Sequence, residues 1–298
     1  MSKGRYDYRL WTSLPYAGET HPPSNPETPY AGSWSTYFVR RNEDGHFTRL
    51  NGSPIDLDIA PPNVINWEAQ LVKVKRTIRR LTNTEREIAA YWGSGPATKQ
   101  WSPIVDILID TYGVEAPRAA RILGALDAGL NDAMVVAWHL KYKWLVARPN
   151  QLDQEMVTYI CTPRHPTYPS GHATVAGAAE VILRYFFPAE GKRLRQLAEE
   201  CAASRLFGGV HFPIDNTEGL RLGRQIGSIV TEVLHEERNV ENEPIDKPYL
   251  DNKHAKLLPP PYEQAIPFDY PDDCQSLVEG QSSQQPNTDT VPKPKLFF

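Results

Sequence analysis

The chain is 298 residues long, 40% hydrophobic and 23% charged, with a formal net charge of −4. That length allows one large domain or two small ones with a sizeable core, and the mild acidity argues against a nucleic-acid surface or a polybasic membrane patch. Cys161, Cys201 and Cys274 are widely spaced with no Cys-x-x-Cys pair, which fits neither a disulfide framework nor a thiolate zinc site and favours a reducing compartment. The first residues lack the apolar run of a signal peptide and no stretch approaches a membrane span, so a soluble, cytoplasmic protein is expected.

Residues 1–65 are rich in Pro, Gly, Ser, Asn and aromatics, with short β-prone pieces at 34–40 and 47–50, and read as an extended arm. Helical periodicity begins after Asn66 and covers 67–81, then 84–92 with Thr84 as candidate N-cap, then 102–112 with Ser102 and Pro103 as cap and first residue. The Ala-, Leu- and Val-rich run from 116 to about 146 predicts one long helix or two abutting ones, with Pro117 at its start and Lys141 near its end. Arg148-Pro149 is expected to close it, because the residue before a proline leaves the α region. A linker at 150–168 precedes three further helices over 171–187, 189–206 and 216–236. From Asn239 the chain is proline-rich and predicts an extended wrap to about residue 272, then disorder. The fold class expected is all-α, a helical bundle over 66–238 with extended N- and C-terminal arms at 1–65 and 239–298.

Three short segments carry the chemistry: Lys141-x6-Arg148-Pro149, Pro169-Ser170-Gly171-His172, and Ser204-Arg205-x5-His211-x3-Asp215. Singly, each has a plain structural reading: a serine N-cap with a surface histidine, a loop histidine beside an aspartate, an arginine at a helix end. Jointly they supply the cations Lys141, Arg148 and Arg205, the Ser170 hydroxyl, the Gly171 amide at a predicted helix start, and the imidazoles of His172 and His211. That is the donor set a tetrahedral oxyanion needs. Asp215 is placed to orient His211 by accepting its other N–H.

In order, spacing and residue type, these residues resemble the signature shared by type 2 phosphatidic acid phosphatases and vanadium-dependent haloperoxidases, over roughly residues 130–230. The resemblance implies a helical bundle whose motif residues bind vanadate, or phosphate in the same site. Lys141, Arg148 and Arg205 would neutralise the equatorial oxygens, with hydrogen bonds from Ser170 and the Gly171 N–H. His211 would be the axial ligand to vanadium, or the nucleophile towards phosphorus. In a phosphatase, His172 would protonate the leaving alcohol; in a haloperoxidase, it would take a proton from peroxide while Lys141 polarises the bound oxidant.

Three features lean towards the haloperoxidase branch. The run from Asp132-Ala133 to Trp138 and Lys141 is similar to the haloperoxidase pattern, with Trp138 lining the pocket. His165 falls where bromide-oxidising algal members carry histidine, which implies bromide or iodide ahead of chloride. Charge is dense over 190–200, unlike the membrane-embedded lipid phosphatases. The reading is therefore a peroxidase using hydrogen peroxide and a halide, its organic acceptor unspecified, with a soluble acid phosphatase working through a phospho-histidine as the alternative. The chain is short beside two-bundle haloperoxidases, so self-association is expected to supply the second bundle, with the arms crossing to the partner.

Overall fold

Asn66 marks the start of the helical region in the computed structural model, which describes residues 8–267 and 274–279. Its side chain accepts from Ala69 N at 2.9 Å and caps α1 (Trp67–Ile78). The cap of α2 (Asn83–Gly93) is Thr82, not Thr84: Thr82 Oγ1 accepts from Glu85 N, and the Glu85 carboxylate accepts from Thr82 N. That reciprocal pair satisfies two orphan amides, which the interior position of Thr84 could not do. α3 (Trp101–Tyr112) starts one residue before Ser102, with Gln100 as its N-cap, and stops at Gly113 in the left-handed region.

α4 (Ala116–Trp144) is one continuous helix. It ends at Leu145, whose φ of 52° is left-handed and whose N–H closes on Lys141 O, so termination comes before Arg148-Pro149. Pro149 instead opens a single turn, α5 (Pro149–Leu152). α6 (Gly171–Phe186), α7 (Gly191–Phe207) and α8 (Pro213–Glu236) complete the bundle, and α8 begins three residues ahead of the expected Asn216 because Pro213 seats in its first turn.

α6 is buried along nearly its whole length. It packs against α4, α7 and α8 in one core that includes Leu130 and Val136 of α4, Leu194 and Leu197 of α7, and Leu222 and Ile226 of α8. Against α8 the backbones approach closely: a Cβ on Gly223 would sit 2.0 Å from Thr174 O, and one on Gly177 2.5 Å from Leu220 O. Only glycine fits such a seam, and the seam fixes the N-terminus of α6 against that of α8, where Ser170 N donates to Asp215 O at 3.0 Å.

The N-terminal arm lies along this same bundle and does not reach away from it. Trp11 N donates to Leu145 O, Ala147 N to Arg9 O and Ala17 N to Asn150 O. The β-prone pieces pair as an antiparallel hairpin of β1 (Val39–Arg41) and β2 (Phe47–Arg49). The buried Asp132 carboxylate on α4 accepts from the backbone amides of Tyr37, Phe38 and Val39, which staples the hairpin to the helix.

Two expectations are corrected at the other end. Cys161 and Cys274 form a disulfide, with Cα atoms 5.7 Å apart, and only Cys201 is free and buried. Their 113-residue separation hid the pair, since spacing reports only on local frameworks, and the argument for a reducing compartment loses its basis. Residues 274–279 are also ordered, not disordered: Thr158 N donates to Leu277 O, Glu279 N to Thr158 O and Leu277 N to Ala17 O. The remainder of the predicted disorder, 280–298, lies outside the described residues. Among the described residues no helix is long and apolar enough to cross a membrane.

Candidate oxyanion site

The three sequence segments converge at one place, where the C-terminal turn of α4, the N-termini of α6 and α8 and the last turn of α7 meet. Lys141, Arg148, Ser170, Arg205, His211 and Asp215 are each at most 2% exposed. Gathering fixed cations away from water is costly unless an anion joins them.

Lys141 Nζ donates to the carbonyls of Pro166 at 2.7 Å and Thr167 at 2.9 Å. An ammonium has three protons, so one is left for a further acceptor. Arg148 is held by Nε to His165 O at 2.9 Å and Nη1 to Val210 O at 2.7 Å, while Nη2 lies 3.0 Å from His165 Nδ1. Arg205, in the last turn of α7, passes the end of α2, where a Cβ on Gly93 would lie 3.3 Å from its Nη1. Ser170 is the N-cap of α6 and accepts from Ala173 N at 3.4 Å. The first-turn amides of α6, including that of Gly171, have no intrahelical acceptor and offer a dipole to an anion.

His211 is fixed from both sides. Its Nδ1 lies 2.9 Å from Asp215 Oδ2, and its Nε2 lies 3.4 Å from Arg148 Nη1. A guanidinium cannot accept and an ionised carboxylate cannot donate, so Nδ1 carries the proton and Nε2 the lone pair. Burial, then the charge of Arg148, holds the His211 pKa well below its ordinary value, which keeps the ring neutral. His172 is lowered likewise by burial and Arg205, and its Nε2 is buried with no hydrogen-bond partner among the described residues. Lys141 is pushed down by burial and Arg148, and Asp215 is pushed up to about 6 by burial, against the hydrogen bond from Thr167.

Trp138 and His165 also reach the site. Their rings lie 4.7 Å apart, Trp138 stands 5.7 Å from Lys141 Nζ, and a Cβ on Gly171 would meet its ring at 3.1 Å. Two further neighbours, not singled out from the sequence, stand beside them. Thr167 donates to Asp215 Oδ2 at 2.5 Å, and the arm brings in Glu27, whose carboxylate lies 3.8 Å from His165 Nε2 and whose carbonyl accepts from Trp138 Nε1 and Tyr142 Oη. Neither carries a motif: each owes its place to a partner far away in the chain.

Among the described residues no group of three or more His, Cys, Asp or Glu could hold a metal cation. The donors gathered here are N–H and O–H groups, and His211 Nε2 would hold the central atom of a bound oxyanion through its lone pair. The set fits a tetrahedral oxyanion, vanadate or phosphate.

The family model described as PAP2 superfamily matches residues 124–238, the stretch that carries all three segments. This segment belongs to the PAP2 superfamily. A vanadium-dependent bromoperoxidase of Corallina pilulifera is 35% identical over 92 residues, 22% of this chain and 15% of that protein. A decaprenylphosphoryl-5-phosphoribose phosphatase of Mycobacterium tuberculosis is 32% identical over 121 residues, 40% of this chain and 66% of that protein. The fold is shared with a bacterial vanadium-dependent iodoperoxidase, TM-score 0.60 at 21% identity, covering 75% of this chain and 61% of that one. It is shared too with an apo-type bacterial vanadium-dependent chloroperoxidase, TM-score 0.57 at 14% identity, covering 78% and 63%. The chain thus spans under two thirds of the bromoperoxidase and of both solved structures. The relatives that this chain resembles include both haloperoxidases and phosphatases, enzymes of two reaction classes.

Proposed function

We propose that the protein is a vanadium-dependent haloperoxidase that oxidises halide, bromide or iodide ahead of chloride, with hydrogen peroxide. The observation that carries this reading is the third imidazole at the cradle: His165 lies against Trp138, with Nδ1 3.0 Å from Arg148 Nη2. A phosphoryl-transfer site needs one nucleophile and one acid, both already supplied by His211 and His172. A further neutral imidazole and an indole beside the cations suit a polarisable halide.

Bound vanadate would supply a Lewis-acidic centre that activates peroxide towards a halide. His211 Nε2 would hold it, with its lone pair directed by Asp215. Lys141, Arg148 and Arg205 would balance its oxygens, and Ser170 Oγ and the Gly171 amide would complete the cradle. His172 Nε2 is the base for the peroxide proton, because it is buried without a hydrogen-bond partner and its ring is neutral. Self-association to a dimer or higher oligomer is part of the proposal, and a monomer by light scattering at micromolar concentration would overturn that part.

The alternative, a phosphomonoesterase, is favoured by the His211–Asp215 pair. In it His211 Nε2 bonds to phosphorus, and the ester oxygen departs as the alcohol with a proton from His172; water then releases phosphate from the histidine. One preparation decides: it is assayed with vanadate, peroxide and halide, then without vanadium on a generic phosphomonoester. Halide oxidation is expected, and its loss in His211→Ala. Ester hydrolysis with no halide oxidation at any pH would overturn the haloperoxidase reading.

A further inference from the structure

We propose that Thr167 is a positioning residue that holds the His211 imidazole in the tautomer presenting Nε2 to the bound oxyanion. The proposal rests on the oxyanion reading of the site but not on which reaction follows.

Thr167 is fully buried, and each of its polar groups serves the cradle. Its N–H donates to Val146 O at 3.0 Å, which fixes its backbone two residues from Arg148. Its carbonyl accepts from Lys141 Nζ at 2.9 Å. Its hydroxyl lies 2.5 Å from Asp215 Oδ2 and 3.1 Å from His211 Nδ1. A hydroxyl has a single proton. The carboxylate accepts only, so that proton goes to Oδ2, and the hydroxyl lone pairs are left facing Nδ1.

The Nδ1 proton is therefore shared between two acceptors, Asp215 Oδ2 and Thr167 Oγ1. Asp215 Oδ2 also accepts from Phe212 N at 3.0 Å, which leaves the carboxylate little freedom to rotate. Removing the hydroxyl takes away one acceptor for Nδ1–H and one of the donors anchoring the carboxylate. With that anchor gone the carboxylate can turn Oδ2 away from Nδ1; the imidazole proton is then no longer confined to Nδ1, and where it moves to Nε2 that atom cannot bond to an oxyanion centre.

The test compares Thr167→Val, which keeps shape and loses the hydroxyl, with Thr167→Ser, which keeps the hydroxyl. In the ligand-free protein the imidazole ¹⁵N shifts of His211, assigned by their loss in His211→Gln, report which nitrogen is protonated. Wild type and Thr167→Ser are expected to show the Nδ1–H form, and Thr167→Val a mixture or the Nε2–H form. Calorimetric titration with inorganic orthovanadate and with phosphate is the second reading. Thr167→Val is expected to bind about tenfold or more weakly, the scale of one hydrogen bond to a charged group, with Thr167→Ser close to wild type.

A threonine that only packs would lower the melting temperature without moving the imidazole proton. An unchanged tautomer in Thr167→Val therefore overturns the proposal. If Thr167→Val does not fold, Thr167→Ala against Thr167→Ser makes the same comparison. If wild type binds neither anion, the oxyanion reading falls, and the nitrogen shifts still decide whether Thr167 sets the tautomer.

Discussion

Asp215 is buried, and its place in the site is read from the groups it holds. It accepts from His211, Thr167 and Phe212 through one oxygen, Oδ2. Asp215→Asn puts an amide where a pure acceptor stood, and such outer partners typically contribute about 10–100-fold in affinity or activity. The expected outcome is a fall of that size in orthovanadate affinity with the fold retained, read by calorimetry beside a circular dichroism spectrum. That Lys141, Ser170 and Arg205 stand at helix ends was legible, because apolar periodicity marks those helices. Thr167 and Glu27 were not, because a single threonine or glutamate in a loop has no periodicity, and only the fold brings each to its partner.

At the scale of elements, the α6–α8 seam sets the geometry of the site, since Ser170 and Asp215 stand at the neighbouring ends of these helices. Gly223→Ala would drive a Cβ into Thr174 O, which is 2.0 Å from where that carbon must sit. Overpacking usually costs about 1–3 kcal/mol and sometimes more. The helices must separate, so a lower denaturation midpoint is expected together with weakened oxyanion binding. Unchanged values for both would show that the seam gives way without moving the site. The helices themselves were readable from apolar periodicity, but their ends less so. α4 stops on Leu145, a residue with no preference for the left-handed region, because Trp11 and the arm bond to that turn. A tertiary contact decided the boundary, and no local signal announces it.

At the scale of the whole molecule, the ligand-free site is a liability that pH reveals. Burial lowers the pKa of His165, His172 and His211 on folding, so below their ordinary value of 6.5 the unfolded chain takes up protons that the native state refuses. Their contribution to stability is lost as pH falls through that value. Asp215, raised to about 6 from 3.8, has the opposite sign: the native state gains its proton first, which adds stability between those values. With these imidazoles set against a single carboxyl, the thermal midpoint of the ligand-free protein should fall from pH 7.5 to 5.5. Saturating phosphate or orthovanadate should raise it at each pH, because a ligand of the native state alone stabilises it by mass action. A midpoint indifferent to both would argue against a dry, anion-seeking site.

The long-range tie at Cys161 and Cys274 bears on how the protein comes to be made. The loop that carries His165 and Thr167 is clamped between Ala17, near one end of the described chain, and Leu277, near the other. A bundle can assemble on the ribosome once α8 has emerged, but this loop gains its clamp only after Cys274 and Leu277 follow. Folding of the scaffold and completion of the loop are thus expected to be separate events in time. A nascent chain halted just after α8 should be helical and compact, yet still waiting for the segment that locks the loop beside His211.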